Sequence, residues 1–355
     1  MRILVIQQKR IGDVLTSTII CNNLKTRYPE AIIDYMCYPN SEDVIIGNPN
    51  IDNIIILTNK VRKSIPSLFK FIFQIRKKKY QIVIDVYCKL ETNLITLFSG
   101  AKHKVSYHKW YSKFFYNHSY ERFDAVKSDY GLAIENRLLL LKPFISNTIT
   151  DVKPKIFLSE IEIADARLLL KQHNINADKN PLIMFGILGS EVYKTYPLAQ
   201  MAQIIDFTVF ETNATIIFNY IPTQVELALE VYNHCSEKAR KNIVFDLYCI
   251  ELRQFLALLS QCHMLIGNEG GAVNMAKALD IPTFSIFTPS VRKETWQLFE
   301  SETKHTSIHL KDLKPEIYEQ NTEQYIKENT FFYYDEYPLE LILKKLKDYF
   351  QIYKT

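Results

Sequence analysis

The chain has 355 residues, of which 47% are hydrophobic and 23% charged, a composition ordinary for a globular protein and a length that favours two domains. No apolar stretch approaches the roughly 20 residues that cross a bilayer, and the first residues lack the pattern of a signal peptide. The six cysteines form no CxxC pair, so neither a disulfide framework nor a zinc site is predicted, and we expect reduced thiols in a cytosolic protein.

The net charge of +4 is distributed unevenly along the chain. Residues 1–160 contain 24 Lys and Arg against 14 Asp and Glu, whereas the remainder contains 19 against 25. A basic first half predicts contact with an anionic partner, such as nucleic acid, a phosphorylated glycan or an acidic membrane surface. No Arg-rich base-reading helix and no RNA-binding motif is present, so the sequence does not favour nucleic acid.

Predicted strands and helices alternate from the first residues onward. Apolar runs predict strands over 2–6, 31–37, 53–57 and 82–86, and helical periodicities predict helices over 14–27, 67–76 and 92–98. This alternation predicts a parallel sheet covered by helices on both faces.

Residues 103–125 interrupt the alternation with a dense mixture of His, Lys, Tyr and Phe. They predict a loop-rich insertion, for which aromatic packing under a surface loop is the simplest interpretation. A helix over 129–141 follows. The segment 142–155, with its two prolines, is the predicted linker.

A second alternating series follows the linker. Helices are predicted over 161–173, 198–209, 226–233 and 252–260, and strands over 181–185, 215–218, 243–245, 263–267 and 283–287. We therefore predict Rossmann-like domains over 1–155 and 156–335. An amphipathic helix over 339–350 dominates the last segment, 336–355, which we expect to pack back on the N-terminal domain.

Polar residues mark the first corner where a predicted strand meets a helix. Gly12 and Asp13 lie there, and Lys9 and Arg10 precede them. Backbone N–H groups and the positive end of the helix converge at such a corner. Asp13 either caps the helix or, placed in a cleft, accepts a proton from a sugar hydroxyl.

A second corner of this kind begins at Asn268. It continues through Glu269, Gly270 and Gly271 to Asn274, directly after the predicted strand 263–267. Two such corners in one chain predict two Rossmann-like halves. Neither corner has the GxGxxG pattern, so a nicotinamide dehydrogenase is a weak alternative.

Eight motifs occur in a fixed order along the chain. They occupy residues 3–6, 10–15, 28–34, 48–52, 78–85, 99–101, 189–198 and 267–283. This ordered set resembles glycosyltransferase family 9, which contains the ADP-heptose:lipopolysaccharide heptosyltransferases. The resemblance covers nearly the whole chain.

The resemblance implies an α/β fold called GT-B, with two Rossmann-like parallel-sheet domains facing a central cleft. It also implies inverting, metal-independent transfer. Asp13 matches the general base of the family, and Lys194 matches the lysine that steadies the donor diphosphate. Glu269, Gly270 and Gly271 match the loop that meets the diphosphate and the donor sugar.

The remaining candidate residues are assigned on the same basis. Further donor-binding candidates are Gly189, Ser190, Glu226, Asn268 and Asn274, of which Glu226 is the loosest match. Acceptor-binding candidates are Lys9, Arg10, Gly12, Lys89, His108 and Lys109. No metal ligand and no cofactor are expected.

The donor motif departs from the family pattern at four positions. Glu269 stands where the family has Asp, Gly270 where it has Ser or Thr, Ala272 where it has Pro, and Asn274 where it has His. A longer carboxylate and the loss of a hydroxyl and an imidazole change the available hydrogen-bond partners. These departures bear on which donor is used.

Two segments are candidates for acceptor or membrane contact. Residues 62–79 combine basic side chains with an apolar stripe, which indicates either an anionic surface contact or a sheet-covering helix with a solvated basic end. The aromatic and basic segment 103–125 is the second candidate.

We therefore expect a cytoplasmic glycosyltransferase that moves a sugar, heptose by resemblance, from a nucleotide donor such as ADP-heptose. The expected acceptor is a phosphorylated lipopolysaccharide core or another anionic glycan, with peripheral contact at the inner membrane. The alternative is a catalytically silent relative that binds nucleotide or glycan as a scaffold.

Overall fold

The computed structural model describes residues 1–145, 150–177 and 179–354, without the side chains of the last two. The chain divides into two compact units. Unit 1 comprises Met1–Phe157 together with Glu294–Leu298, and unit 2 comprises Leu158–Lys293 together with the chain from Phe299 onward. Four residues of the predicted linker, 146–149, lie outside the described residues.

The described residues of Met1–Phe157 form six parallel strands and five α-helices. The strands are Arg2–Ile6 (β1), Ile32–Cys37 (β2), Asn53–Ile56 (β3), Ile82–Asp85 (β4), His103–Tyr107 (β5) and His118–Tyr120 (β6). The helices are Ile11–Arg27 (α1), Asn59–Arg62 (α2), Ile65–Lys77 (α3), Leu90–Phe98 (α4) and Leu132–Leu139 (α5). The sheet order is β3-β2-β1-β4-β5-β6.

The core of unit 1 follows from the apolar pattern of its elements. Leu4 and Ile6 of β1 and Val83 of β4 pack against Leu68 and Ile72 of α3, all of them buried. β1 is buried from its second residue onward, as expected for a central parallel strand. In register, Ile6 of β1 lies beside Asp85 of β4, so the two strands end at the same level.

Unit 2 repeats the arrangement with six more parallel strands. In chain order, its elements begin with Glu160–Gln172 (α6), Leu182–Gly186 (β7), Leu198–Thr212 (α7), Thr215–Phe218 (β8), Val225–His234 (α8), Glu237–Arg240 (α9), Ile243–Val244 (β9), Leu252–Leu259 (α10), Met264–Asn268 (β10), Gly271–Ala278 (α11) and Thr283–Ile286 (β11). Lys293–Trp296 (α12) follows, and three of its four residues belong to unit 1. The later elements of unit 2 are His305–Ile308 (β12), Leu310–Leu313 (α13), Pro315–Gln320 (α14), Glu323–Glu328 (α15), Thr330–Asp335 (α16) and Leu339–Lys354 (α17). The sheet order is β12-β11-β10-β7-β8-β9.

The C-terminal helix is amphipathic, but its expected packing on the N-terminal domain is wrong. Ile342 and Leu346 of α17 are fully buried in the core of unit 2. The Tyr349 hydroxyl donates a hydrogen bond to the Lys304 carbonyl oxygen at 2.7 Å, which fixes the helix beside β12. The apolar face predicts burial, but it does not say against which sheet.

The expectation of a loop-rich insertion over 103–125 is also wrong in part, because β5 and β6 are paired strands of the sheet. Polar residues conceal them: His103 begins β5 and His118 begins β6. β12 was missed for the same reason. It is fully buried although three of its four residues are polar, and its Ser307 is satisfied by hydrogen bonds to Glu300 at 2.8 and 3.0 Å.

The two central strands of unit 2 approach each other closely at a pair of glycines. Gly267 of β10 is in register with Gly186 of β7 and has a φ of +146°. A Cβ at Gly267 would lie 2.3 Å from the Gly186 carbonyl oxygen, which leaves no room for any other residue.

We predict that Gly267→Ala lowers the free energy of unfolding by about 2 kcal/mol or more, because two backbone segments must separate. Urea denaturation of the variant measures this loss. Gly270→Ala is the matched control, since a Cβ there has no neighbour within 4 Å. Equal stability of the two variants would contradict the proposed close approach.

Candidate active site

Both sheets reverse their strand order once, and most of the candidate residues lie after the strands at those reversals. In unit 1 the reversal lies between β1 and β4, and in unit 2 between β7 and β10. Connections leave such a pair of strands toward opposite faces of the sheet, which opens a crevice at the carboxyl ends. Asp13 follows β1 directly, Gly189 follows β7, and Glu269 follows β10.

Asp13 lies in the first turn of α1, where the helix dipole favours a carboxylate. The Arg137 Nη2 donates a hydrogen bond to Asp13 Oδ1 at 2.7 Å. The Arg10 backbone N–H lies 3.4 Å from Asp13 Oδ2, a long contact. The Asp13 side chain is 32% exposed, whereas that of Arg137 is only 7% exposed. A buried guanidinium therefore holds one oxygen of the Asp13 carboxylate, while the side chain stays partly open to solvent.

Arg137 was not among the predicted site residues. It lies on α5, and its Nη1 donates to the Ala133 carbonyl oxygen at 2.5 Å, which fixes the guanidinium against its own helix. A second hydrogen bond reaches the Asp13 carbonyl oxygen at 3.3 Å. Arg137 interrupts an apolar helical run, and a buried charge in such a run is expected to have a partner. That signal could have identified it.

The acceptor-binding candidates lie at the carboxyl ends of three neighbouring strands. Lys9 and Arg10 are exposed after β1, and Lys89 is exposed after β4. His108 is exposed after β5. Because β1, β4 and β5 are adjacent, these cations share one edge of the sheet of unit 1.

Two acceptor-binding candidates have structural roles as well. Gly12 is buried in the first turn of α1. Lys109 is half-buried, and its Nζ donates to the Cys88 carbonyl oxygen at 2.7 Å. This hydrogen bond ties the residues after β5 to those after β4.

A buried carboxylate, which the sequence did not reveal, shapes the turn between β4 and α4. Asp85 Oδ1 accepts hydrogen bonds from the backbone N–H groups of Tyr87 at 3.0 Å and Cys88 at 2.8 Å. The Tyr116 hydroxyl donates to Asp85 Oδ2 at 2.7 Å. Burial raises the pKa of Asp85 to about 6, although these hydrogen bonds oppose the rise. Asp85 thus positions the backbone that carries Lys89.

In unit 2, the segment after β7 folds back on itself through a glycine. A Cβ at Gly189 would lie 2.4 Å from the Lys194 carbonyl oxygen. The Gly189 N–H donates to Thr195 Oγ1 at 3.0 Å, which closes the loop. Ser190 lies exposed at the tip. Because Gly189 has no side chain, its backbone can lie this close to the backbone of Lys194 and so fix the position of Lys194.

Lys194 is half-buried beside an aromatic ring. Its Nζ lies 5.7 Å from the centre of the Tyr193 ring. The Tyr193 carbonyl oxygen accepts hydrogen bonds from Thr288 Oγ1 at 3.1 Å and the Tyr334 hydroxyl at 3.2 Å. The lysine thus stands on an anchored backbone, as expected for a charge that binds a fixed anion.

Asn268 connects the two strands at the reversal of unit 2. It is buried, its Nδ2 donates to the Gly186 carbonyl oxygen at 3.0 Å, and its Oδ1 accepts from the Tyr196 N–H at 2.7 Å. Both Nδ2 and Oδ1 of the amide are hydrogen-bonded within the protein, so we assign Asn268 a role in positioning the loop that ends at Tyr196.

Glu269 is half-buried where β10 ends, and its N–H donates to the Ile286 carbonyl oxygen at 2.9 Å. Burial raises the pKa of Glu269 to about 7, and the positive charges of Lys194 and Lys277 act in the opposite direction. Burial likewise lowers the pKa of Lys277 to about 8. The charge at this corner therefore changes near neutral pH.

The start of α11 has few side-chain atoms. A Cβ at Gly270 would meet nothing within 4 Å, and Gly271 is exposed. Asn274 is buried, and its Nδ2 donates to the Gly270 carbonyl oxygen at 3.3 Å, but its Oδ1 has no hydrogen-bond partner among the described residues. Backbone N–H groups thus dominate this helix start.

A cavity of about 720 Å³ opens in unit 2 beside the Gly189 loop. Gly189 and Ser190 line it, and its walls are mainly apolar, from Val192 to Phe332. Of the donor-binding candidates, Lys194, Glu226 and those of 268–274 do not line it. Glu226 is exposed in the first turn of α8, and its neighbours Gln224 and Leu227 line the cavity.

Within the described ranges, no three His, Cys, Asp or Glu side chains are grouped so that they could hold a metal ion. In the same part of the chain, no helix has the length and hydrophobicity to cross a membrane.

Known proteins resemble this chain over most of its length. A curated relative, lipopolysaccharide heptosyltransferase 1 of Campylobacter coli, is 25% identical over 304 residues, which are 82% of this chain and 86% of that protein. Lipopolysaccharide heptosyltransferase 3 of Escherichia coli is 21% identical over 78% of this chain and 80% of its own length.

Solved structures share the fold. A family 9 glycosyltransferase of Veillonella parvula has a TM-score of 0.73 at 18% identity, covering 89% of this chain and 88% of that one. The ADP-heptose lipopolysaccharide heptosyltransferase II of Escherichia coli has a TM-score of 0.67 at 18% identity, covering 98% and 100%.

Two six-stranded parallel sheets of Rossmann order give the chain the GT-B fold that these solved structures share. The family profile of glycosyltransferase family 9 (heptosyltransferase) matches residues 68–326, more than half of the chain. The protein belongs to this family and is a glycosyltransferase.

We predict that Arg137→Ala lowers kcat by between about ten- and a hundredfold, because the Asp13 carboxylate loses its fixed orientation. In an Asp13→Ala background the same change should have no further effect on kcat, since the two residues act as one unit. Steady-state kinetics of the four proteins measures the coupling.

Arg27→Ala is the control for that cycle, because Arg27 is exposed and its guanidinium lies over the Tyr28 ring. Arg137→Lys should restore part of the activity. Additive losses in the double variant would show that Arg137 does not act through Asp13.

We predict that Glu269→Gln stabilises unit 2 increasingly as the pH rises from 5 to 7.5. The pKa of Glu269 is raised from 4.5 to about 7, so its stabilising proton is fully present below 4.5 and is lost as the pH rises through 7. Glutamine avoids this loss, which we expect to be about 1–2 kcal/mol after allowance for partial exposure.

Urea denaturation at several pH values measures the difference between the variant and the wild type. Glu191→Gln, an exposed change in the neighbouring loop, is the control and should give a constant difference. A pH-independent effect of Glu269→Gln would argue against a buried, raised-pKa carboxyl.

Proposed function

We propose that the protein is an inverting, metal-independent heptosyltransferase that moves heptose from ADP-heptose to a lipopolysaccharide-type acceptor. The observation that carries the proposal is the Asp13 carboxylate: Arg137 holds Oδ1 at 2.7 Å, Oδ2 has only a long contact of 3.4 Å with the Arg10 N–H, and the side chain is 32% exposed. Such a carboxylate can receive a proton without rotating, which is the task of a general base.

The proposed reaction is a single displacement. An acceptor hydroxyl gives its proton to Asp13 Oδ2 while its oxygen forms a bond to the anomeric carbon of the donor. The bond from that carbon to the diphosphate oxygen breaks, and the nucleoside diphosphate leaves with the electron pair. One base and no protein nucleophile are needed, so the anomeric configuration inverts.

The leaving diphosphate must be stabilised where it forms. Lys194, anchored beside Tyr193, supplies a positive charge in this proposal. The backbone N–H groups around Gly270 and Gly271, at the start of α11, supply the other contacts. No metal and no cofactor take part, because these groups stabilise the developing charge.

The acceptor class is supported by charge. Lys9, Arg10, Lys89 and His108 share the edge of the sheet that carries Asp13, which suits a phosphorylated sugar. In the proposal, unit 1 binds the acceptor and unit 2 the donor. The protein works in the cytoplasm, in peripheral contact with the inner membrane. The identity of donor and acceptor rests on the names of the relatives.

The test is transfer from a panel of nucleotide sugars, ADP-heptose included, to a delipidated phosphorylated core oligosaccharide in the presence of EDTA. We expect transfer from ADP-heptose with inverted configuration, read by NMR. Asp13→Asn should lower kcat by about 10²- to 10⁴-fold with donor binding retained. Asp129→Asn, an exposed change in unit 1, is the control.

Each part of the proposal can fail separately. Loss of transfer with EDTA and recovery with Mg²⁺ would overturn metal independence, and a retained configuration would overturn the single displacement. Donor binding by the wild type without transfer from any nucleotide sugar would favour a silent binding protein.

A further inference from the structure

Helix α3 of unit 1 has a second apolar face besides the one that enters the core. Leu68, Ile72 and Ile75 are buried against the sheet. Ile65, Phe69 and Phe73, spaced four residues apart, form a separate stripe that is 74, 43 and 61% exposed. A sheet-covering helix needs only the first face.

The neighbouring helix α4 extends this stripe. Leu90 and Phe98 are 68% and 41% exposed at its two ends. The rings of Phe69 and Phe98 are 6.4 Å apart, so the exposed apolar side chains of the two helices adjoin at this pair. We call Ile65, Phe69, Phe73, Leu90 and Phe98 the α3–α4 surface. Contiguous exposed apolar side chains of this size mark an interaction site.

The charge around the α3–α4 surface is almost entirely positive. Residues 59–102 contain ten Lys and Arg and only two acids. Asp85 is buried, and Glu91 lies 3.5 Å from the guanidinium of Arg62. Neither acid is therefore available to neutralise the positive charge of the exposed lysines.

The lysines surround the apolar side chains. Lys63 and Lys77 flank α3, Lys89 and Lys102 flank α4, and Lys70 lies beside Phe69. All five are exposed. Apolar side chains framed by lysines are suited to an anionic interface with an apolar interior.

We propose that the α3–α4 surface docks unit 1 on an anionic phospholipid membrane. The aromatic and aliphatic side chains enter the interfacial layer, and the surrounding lysines bind phosphate groups of the lipids. The proposal deepens the membrane contact of the proposed function, but it rests on the surface alone.

A second copy of the chain is a poorer occupant. A symmetric dimer through this surface would bring one lysine frame against the other, with like charges facing each other. An acidic protein could satisfy the charges, and a monomeric wild type that binds no vesicles would overturn the membrane proposal in favour of such a partner.

The position of the surface relative to Asp13 favours an acceptor attached to the membrane. α4 begins where β4 ends, at the edge that carries Asp13 and the cationic candidates. Leu90 directly follows Lys89. Docking through α4 thus brings this edge close to the headgroups.

The test is co-sedimentation of the full chain with vesicles, in the absence of donor and acceptor. We expect binding to vesicles of phosphatidylethanolamine and phosphatidylglycerol, and at least about tenfold weaker binding to phosphatidylcholine alone or at high salt. The double change Phe73→Gln and Leu90→Gln should weaken binding about tenfold or more.

Matched controls come from unit 2. Ile161 and Phe210 are 74% and 72% exposed, so Ile161→Gln with Phe210→Gln removes the same kind of surface and should leave binding unchanged. Lys70→Glu with Lys77→Glu should abolish binding to anionic vesicles, whereas Lys171→Glu with Lys347→Glu should not. Circular dichroism establishes that each variant is folded.

The outcomes separate the alternatives. Equal binding of the Phe73/Leu90 variant and its control would overturn the proposal, and so would vesicle binding that ignores lipid charge. A dimer that this variant dissociates, together with no wild-type binding to vesicles, would assign the surface to a second copy instead. Transfer to the delipidated acceptor should survive in the variant, so failure here is distinct from failure of the proposed reaction.

Discussion

Parallel strand pairing is the constraint on which both candidate sites depend. Because every strand of a unit points the same way, all strand ends that carry turns into helices lie at one edge. The single reversal of strand order then separates two neighbouring turns, at β1 and β4 in unit 1 and at β7 and β10 in unit 2. Asp13 follows β1, the first strand of its unit, whereas Glu269 follows β10, which corresponds in topology to β4, so the two residues lie on opposite sides of the reversal in their units. The close approach of Gly186 and Gly267 keeps the second corner in register.

The two corners solve different electrostatic problems. At the first, a buried guanidinium holds a half-exposed carboxylate, so the charge is both oriented and hydrated. At the second, burial raises the pKa of Glu269 to about 7 while lysines oppose it. A fully charged carboxylate beside a diphosphate would repel it. With its pKa near 7, the Glu269 carboxyl is partly protonated at neutral pH, and its protonated form can donate a hydrogen bond to the anionic ligand of the proposed function.

Much of this arrangement is predictable from the sequence, because local apolar runs specify the central strands. β1 and β8 have the predicted ends, and the ordered motifs identified the family. Contacts between residues that are distant in the sequence are harder to predict. Arg137 is 124 residues from Asp13, and no local sequence pattern indicates that the two residues form a pair. Polar strands are missed by the sequence analysis for a different reason. β12 is buried through hydrogen bonds rather than apolar side chains, so it has no apolar run to detect.

The departures in the donor motif acquire a physical meaning from their surroundings. The space beside Gly270 is open. The absence of the Ser or Thr side chain that the family has at this position therefore leaves free space, and no neighbouring side chain fills it. Asn274 turns its Nδ2 toward the Gly270 carbonyl oxygen and so fixes the backbone that a ligand meets. Glu269 is longer than aspartate and protonates near neutral pH. In the proposed donor site these residues would replace side-chain hydroxyl and imidazole groups by backbone N–H groups and one titrating carboxyl as the hydrogen-bonding partners of the ligand. In the proposed function this loop binds the donor diphosphate, and the open space at Gly270 is where a preference among donor sugars would arise.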